Sequence, residues 1–192
     1  MHKFILQSFE QLTARELYAI CQAREAVFVV EQACAYQELD GLDNDCLHLQ
    51  YWDTATSNER QLAAYARIIP PTIHSMGMPA IGRVLTTKDY RGRDLGRELM
   101  QQAIGICHSR YPTQTIYISA QTYLLEFYQS LGFVAQGVFG HHFVLALAQQ
   151  QADGGRVLLG FDLSIHRRDV KTQLPQVLGF ELLGLQLDNH VA

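Results

Sequence analysis

Residues 81–100, I-G-R-V-L-T-T-K-D-Y-R-G-R-D-L-G-R-E-L-M, constrain this chain more than any other stretch, because they read as a strand, a basic glycine turn and the start of a helix. The opening turn of a helix has backbone N–H groups with no internal partner, and the macrodipole adds roughly half a positive charge there. Gly92 and Gly96 let the backbone come close to a bound group, and Arg91, Arg93 and Arg97 supply forked donors suited to phosphate oxygens. Read this way the junction is a ready-made anion site; the same residues also suit a basic surface turn followed by an amphipathic helix.

Elsewhere, periodicity and punctuation predict further elements. Residues 3–8 read as a first strand, and Thr13 with Glu16 forms a capping-box pattern that opens a helix to about Phe28. Leu17, Ile20, Cys21 and Val27 fall near helical spacing on it. Residues 33–45 are acidic and rich in turn formers, hence a loop. Strands are expected at residues 47–52, 61–69 and 80–86, with a polar hairpin turn around 56–60 and a proline-bounded loop at 70–79. Residues 94–109 make the helix of the junction, with Leu95, Leu99, Ala103 and Ile106 as its buried stripe. A strand at 115–120 follows, Thr122 caps a short helix to Ser130, and Gly132 stops it before another strand at Phe133. This order is that of an α+β domain.

Length and composition narrow the class. A chain of 192 residues, 48% apolar and 18% charged, is large enough for one domain with a real core and an appended element. A formal charge of −4 argues against general nucleic-acid binding, which calls for a strong basic excess. Cys21, Cys34, Cys46 and Cys107 form no C-x-x-C pair, so neither a zinc site nor a disulfide framework is expected. The first twelve residues lack a signal-like apolar run, and no segment is apolar enough to span a bilayer, so the expectation is a reduced, cytoplasmic protein without a membrane partner.

The junction resembles the central motif of the GCN5-related N-acetyltransferases, GNAT: Arg or Gln, two residues, Gly, one residue, then Gly or Ala. Arg91 and Gly96 match, while Asp94 stands at the first glycine and puts a carboxylate beside the expected pyrophosphate. Residues 116–133, I-Y-I-S-A-Q-T-Y-L-L-E-F-Y-Q-S-L-G-F, resemble the family's later strand and helix, ending in F-Y-x-x-x-G-F. Residues 24–45, followed by His48, are similar to the ElaA-like subgroup, in which the first motif glycine is commonly missing; that likeness covers about residues 1–139.

The resemblance implies a mixed, mostly antiparallel sheet flanked by helices, with the strands at 80–86 and 115–120 splayed to admit acetyl-CoA as co-substrate. It implies transfer of an acetyl group to a primary amine, on a small molecule or peptide, with no metal. Backbone N–H groups of Arg91, Gly92, Arg93, Asp94, Leu95, Gly96 and Arg97 would hold the pyrophosphate. Val84, Leu85 and Thr86 would line the pantetheine arm, Gln121 and Phe127 complete the cofactor set, and an N–H near Leu85 would polarise the thioester carbonyl. Tyr128 is the candidate for stabilising the leaving thiolate. A phenol near pKa 10 facing a thiol near 8.5 makes full proton transfer uphill by about 2 kcal/mol, which favours a hydrogen bond. An alkyl amine is only ~0.1% neutral at pH 7, so Glu31 and His48 are candidate bases. Asp40, Asp43 and Asp45 can orient a cationic amine, and Arg24 and Arg67 are read as partners for these carboxylates.

Two alternatives stay open. Arg24, Phe28, Asp43 and Asp45 echo the acyl-homoserine-lactone synthases, which lack F-Y-x-x-x-G-F, and a non-catalytic coenzyme-binding module is the other. Residues 1–140 are taken as the transferase domain and 141–192 as an atypical tail, an insertion or partial duplication before the last strand. Q-S-L-G-F-V-A-Q-G at 129–137 recurs loosely as Q-V-L-G-F-E-L-L-G at 176–184. His141, His142, His166 and His190 fit no metal-ligand spacing, and the apolar run 143–148 leaves room for a homodimer.

Overall fold

A computed structural model describes residues 4–54, 60–139 and 142–148. The hairpin turn expected around 56–60 falls almost wholly outside them, as do His141 and everything from 149 on, including the repeat at 176–184 and the tail histidines His166 and His190.

The described elements are, in chain order, β1 Phe4–Ser8, α1 Ala14–Arg24, β2 Leu47–Asp53, β3 Gln61–Ile69, β4 Ala80–Thr86, α2 Leu95–Arg110, β5 Ile116–Gln121, α3 Leu125–Gln129, β6 Val134–Phe139 and β7 His142–Leu147. The strands form one sheet in the order β1-β2-β3-β4-β5-β7-β6. Every neighbouring pair is antiparallel except β4 and β5. This is the α+β, mostly antiparallel architecture expected from the sequence.

The centre is β3, buried from Leu62 to Ile69 on both faces. Ala63, Ala64 and Ala66 keep it thin, so a helix can settle on each side. On one face α2 buries Leu95, Leu99, Met100, Ala103 and Cys107 against Ala64, Ala66, Ile68 and Ile81. On the other, Ile20 of α1 packs with Trp52, Leu62, Tyr65 and Leu85. Each such aliphatic side chain contributes about 1.5–3 kcal/mol on burial.

Four local expectations change. The buried stripe of α2 steps by four through Leu95, Leu99, Ala103 and Cys107; Ile106 is only partly buried, because a straight i+4 ridge is what the sheet groove accepts. Helix α1 keeps its capping box, with Glu16 N–H donating to Thr13 Oγ1 at 3.2 Å, but changes to π-helical turns at Glu25–Glu31. The wider turn holds Val27 and Phe28 in the cluster around Trp52 and carries Glu31 toward the junction. Thr122 does not cap α3; it begins a 3-10 turn, Thr122–Leu124, and Leu124 takes the cap position. The apolar run 143–148, expected in the tail, instead supplies most of β7, which pairs with β5 on one side and β6 on the other and buries Val144, Leu145 and Ala146. No helix among the described residues is long and apolar enough to cross a membrane.

Candidate functional site

The site begins where two central strands part. β4 and β5 share one register pair, Ala80 with Tyr117, beside a backbone bond from Tyr117 N–H to the Pro79 carbonyl at 2.9 Å. Among the described residues, β4 pairs beyond Ala80 only with β3, and β5 turns to β7. The edge of β4 that faces β5 is therefore free to hydrogen-bond an extended, amide-bearing arm.

β4 also bulges. Tyr65 stands opposite Leu85 and Arg67 opposite Gly82, so two steps on β3 meet three on β4. Arg83 sits in the bulge with φ of 53°, the left-handed region. The extra residue resets the facing: Ile81 and Val84 pack on the α2 side, Leu85 on the α1 side.

β4 runs into the basic turn. Gly92 has φ of 74° and Asp94, the N-cap of α2, φ of 60°. The motif's first glycine position thus demands a left-handed residue, and Asp is among the few others that enter that region readily. No side chain among the described residues caps α2; the Asp94 carbonyl accepts from the Arg97 and Glu98 N–H groups, and the earlier N–H groups have no partner within the helix. A Cβ on Gly96 would stand 3.5 Å from Thr86 Oγ1, which brings α2 close to the end of β4. Tyr90 anchors the turn by donating from its hydroxyl to Asp53 Oδ2 at 2.8 Å.

The three junction arginines have different surroundings. Arg91 donates from Nε to the Thr86 carbonyl at 3.1 Å and from Nη2 to Glu31 Oε2 at 2.7 Å. Arg97 lies 5.6 Å from the Phe127 ring and 3.4 Å from Asp94 Oδ1. Arg93 lies 5.5 Å from the Tyr90 ring and is exposed. Gln121, at the end of β5, donates to Gln32 Oε1 at 2.5 Å. Consecutive residues Glu31 and Gln32 therefore reach the two sides of the gap, one past the end of β4 and the other at the end of β5. Glu31 is not a free base in this arrangement, since Arg91 holds its carboxylate.

Below the α1 face lies a feature that sequence reading only half found. Arg24 donates from Nε to Glu38 Oε1 at 2.8 Å and from Nη1 to Asp43 Oδ1 at 2.8 Å. Arg67 donates from Nη1 to Asp43 Oδ1 at 2.9 Å and Asp40 Oδ1 at 2.7 Å, and from Nη2 to Asp40 Oδ2 at 2.6 Å. Arg83 closes the circle, from Nε to Glu38 Oε1 at 2.5 Å and from Nη2 to Asp40 Oδ2 at 3.1 Å. Three guanidiniums and three carboxylates alternate in a closed, formally neutral ring. The side chains of Arg24 and Arg67 are 0% exposed. Among the ring atoms, Glu38 Oε2 and Arg67 Nε are buried without a hydrogen bond.

The ring corrects the expectation that Asp40 and Asp43 steer a cationic amine: their charge is spent on arginines. Burial disfavours the Asp43 anion, but the charges and bonds of Arg24 and Arg67 outweigh it and hold its carboxyl at about 2. The Arg24 and Arg67 pairings follow the sequence reading. The roles of Glu38 and Arg83 carried no sequence signal, since each looks like an ordinary polar residue of a loop or strand.

His48 is also corrected as a free base. It is 0% exposed. Its Nε2 faces the Asp43 carbonyl at 3.0 Å, which can only accept, so Nε2 carries the proton and Nδ1 accepts from the Tyr65 hydroxyl at 2.8 Å. Burial lowers its pKa and keeps the ring neutral, with no lone pair left for an amine. Tyr128 is buried in a ring cluster, its centroid 5.1 Å from Phe127 and 6.0 Å from Phe133, both edge-on. Burial raises its pKa and keeps the phenol protonated. Among the described residues no group of three or more His, Cys, Asp or Glu could hold a metal.

Comparison with known proteins is consistent with this geometry. The family described as Acetyltransferase (GNAT) domain matches residues 16–142. The chain is 39% identical to Protein ElaA of Escherichia coli over 126 residues, 65% of this chain and 78% of ElaA. It resembles the crystal structure of an acyl-CoA N-acyltransferase from Pseudomonas aeruginosa with a TM-score of 0.70 and 38% identity, over 77% of this chain and 100% of that one. For the crystal structure of Escherichia coli ElaA the TM-score is 0.67 and the identity 34%, over 77% and 99%.

Proposed function

This chain belongs to the GNAT acetyltransferase family, in the group that includes ElaA, and from that premise we propose that it moves an acetyl group from acetyl-CoA to a primary amine by direct attack. The observation that carries the reading is that, among the described residues, β4 and β5 share a single pair, Ala80 with Tyr117, which leaves the rest of that β4 edge unpaired and leads straight to an α2 N-terminus without a side-chain cap.

In this reading the N–H groups from Gly92 to Gly96 bind the pyrophosphate, with Arg93 and Arg97 adding charge from the rim. The backbone of Val84, Leu85 and Thr86 pairs with the pantetheine amides as a further strand would. The bulge N–H at Val84 polarises the thioester carbonyl, an interaction worth about 3 kcal/mol when it strengthens in the transition state; the Leu85 N–H faces β3, because the Thr87 N–H bond to the Ala63 carbonyl makes Tyr65 and Leu85 the next hydrogen-bonded pair. The amine nitrogen bonds to the carbonyl carbon, the carbon–sulfur bond breaks, and the thiolate leaves. Tyr128 donates a hydrogen bond to that sulfur; its raised pKa keeps the donor proton in place. Since His48 and Glu31 are both engaged, the ammonium loses one proton to solvent water before attack, and the second leaves nitrogen as the tetrahedral adduct collapses, carried by water to the departing thiolate.

The test is calorimetric titration of acetyl-CoA, followed by thiol release over a panel of primary amines with the wild type and Tyr128→Phe. Micromolar binding, turnover of at least one amine, and a lower kcat in Tyr128→Phe at unchanged acetyl-CoA affinity are expected. Binding without turnover of any amine would instead support a non-catalytic coenzyme-binding module. Absence of binding would overturn the reading at its base.

A further inference from the structure

An arginine in the left-handed region in mid-strand has no local reason to be there. Its Cβ makes the conformation costly, and such residues persist only where their surroundings over-determine them. For Arg83 those surroundings are on the loop at residues 33–45. Glu38 Oε1 and the Glu38 carbonyl accept from Arg83 at 2.5 and 3.1 Å, and Asp40 Oδ2 accepts at 3.1 Å. The Tyr36 ring lies 5.8 Å from the guanidinium. The two carboxylates are themselves held by the buried guanidiniums of Arg24 and Arg67.

We propose that Arg83 is a positioning residue: Glu38 and Asp40 fix its side chain, and through it the β4 bulge whose Val84 N–H group meets the thioester carbonyl. The inference rests on the coenzyme-binding reading above and deepens it. The loop between α1 and β2 and the slot for the acyl group then form one mechanical unit. The donor is anchored by the turn at residues 91–96 whether or not the loop is seated, but its carbonyl is polarised only when the ring is closed. This explains why a bulge in one strand is tied, through arginine–carboxylate links, to a helix, a loop and the neighbouring strand.

The experiment needs no amine. Acetyl-CoA labelled with ¹³C at the thioester carbonyl is bound to the full chain, and the carbonyl stretch is read by infrared difference spectroscopy. Three variants are compared: Arg83→Gly, which accepts the left-handed backbone but drops the tie; Arg83→Lys, which keeps charge without the fork; and Glu38→Gln, which retains Oε1 as an acceptor. Wild type should show the band shifted to lower frequency from its position in water. Arg83→Gly should return it toward that position while acetyl-CoA affinity stays within about 3-fold, because the pyrophosphate turn is untouched. Arg83→Lys and Glu38→Gln should fall between. With any accepted amine, kcat of Arg83→Gly should drop ~10-fold or more, a fraction of what losing a whole oxyanion donor costs.

A band shifted equally in wild type and in a folded Arg83→Gly would overturn the role of Arg83 and leave coenzyme binding intact. Should Arg83→Gly fail to fold, a band in Glu38→Gln shifted as far as in the wild type would overturn that role equally. Acetyl-CoA bound to the wild type without any shift would remove the bulge as the polarising element. Failure of the wild type to bind it at all would instead remove the reading on which the inference rests.

Discussion

Asp43→Asn tests the charge ring where it is most strained by loss. Asp43 Oδ1 accepts from both Arg24 Nη1 at 2.8 Å and Arg67 Nη1 at 2.9 Å, and both arginine side chains are 0% exposed. The substitution keeps an oxygen acceptor but leaves the ring with one uncompensated positive charge in the interior. Breaking a buried ion pair from one side costs about 3–5 kcal/mol, and the retained amide acceptor brings the expectation to about 2–4 kcal/mol. For a domain of this size the melting temperature should fall by roughly 5–12 °C. The effect has a pH signature. The folded carboxyl titrates at about 2, below an unfolded value near 3.9, so its stabilisation is complete above pH ~4 and is lost as pH falls toward 2. That loss amounts to roughly 2–3 kcal/mol in the wild type, whereas the amide of the Asp43→Asn protein does not titrate and adds no slope there. Urea unfolding at pH 7 and a melting series from pH 5 to 2 measure both quantities. A loss under about 1 kcal/mol at pH 7, or the same acid slope in both proteins, would refute the argument that the ring is a buried, closed unit.

Four further substitutions, at Glu31, Asp94 and His48, address the basic turn and the interior histidines. Glu31→Gln frees Arg91 from an exposed pair worth no more than about 1 kcal/mol, so acetyl-CoA should bind ~2–5-fold tighter at low salt, with the gain fading in high salt; calorimetry showing weaker binding would return Glu31 to the ligand site. Asp94→Gly removes a left-handed residue with a β-carbon and a carboxylate at the helix N-terminus, and should raise the melting temperature while tightening acetyl-CoA binding. A β-branched residue there, Asp94→Val, should do the reverse in both measurements. His48 and His74 are both kept neutral by burial, so their folded pKa values lie below the unfolded one, and stability should fall as pH drops below about 6.5 by up to ~1.4 kcal/mol per pH unit for each. His48→Gln should flatten that slope in unfolding titrations between pH 7 and 5.

The strand–turn–helix junction was legible in the chain because its determinants are local. A helix start, two glycines and a cluster of arginines lie within a few residues of one another, and their geometry follows from φ preferences and unpaired N–H groups. Gly92 and Asp94 adopt the left-handed conformations such a turn requires. The helical period placed Leu95, Leu99 and Ala103 in the core, and missed only the drift to Cys107 that the sheet groove imposes. The acidic loop was legible as a loop and as a partner for Arg24 and Arg67, but its function was not. Charge steering and a closed ion ring have the same sequence, and they differ only in whether guanidiniums from α1, β3 and β4 reach the same carboxylates.

The same division holds for the candidate bases. His48 and Glu31 have suitable chemistry as isolated side chains, yet Tyr65 and the Asp43 carbonyl consume one, and Arg91, sixty residues distant in the chain, holds the other. The bulge at Arg83 left no mark at all, since I-G-R-V-L-T is an ordinary strand until β3 is set beside it in register. The sequence by itself determined the motif turn, the helix faces and the α+β order, which depend on neighbours along the chain. Tertiary structure alone decided which charges neutralise one another and which lone pairs remain free, because those depend on burial and on partners that only the closed sheet brings within hydrogen-bond distance.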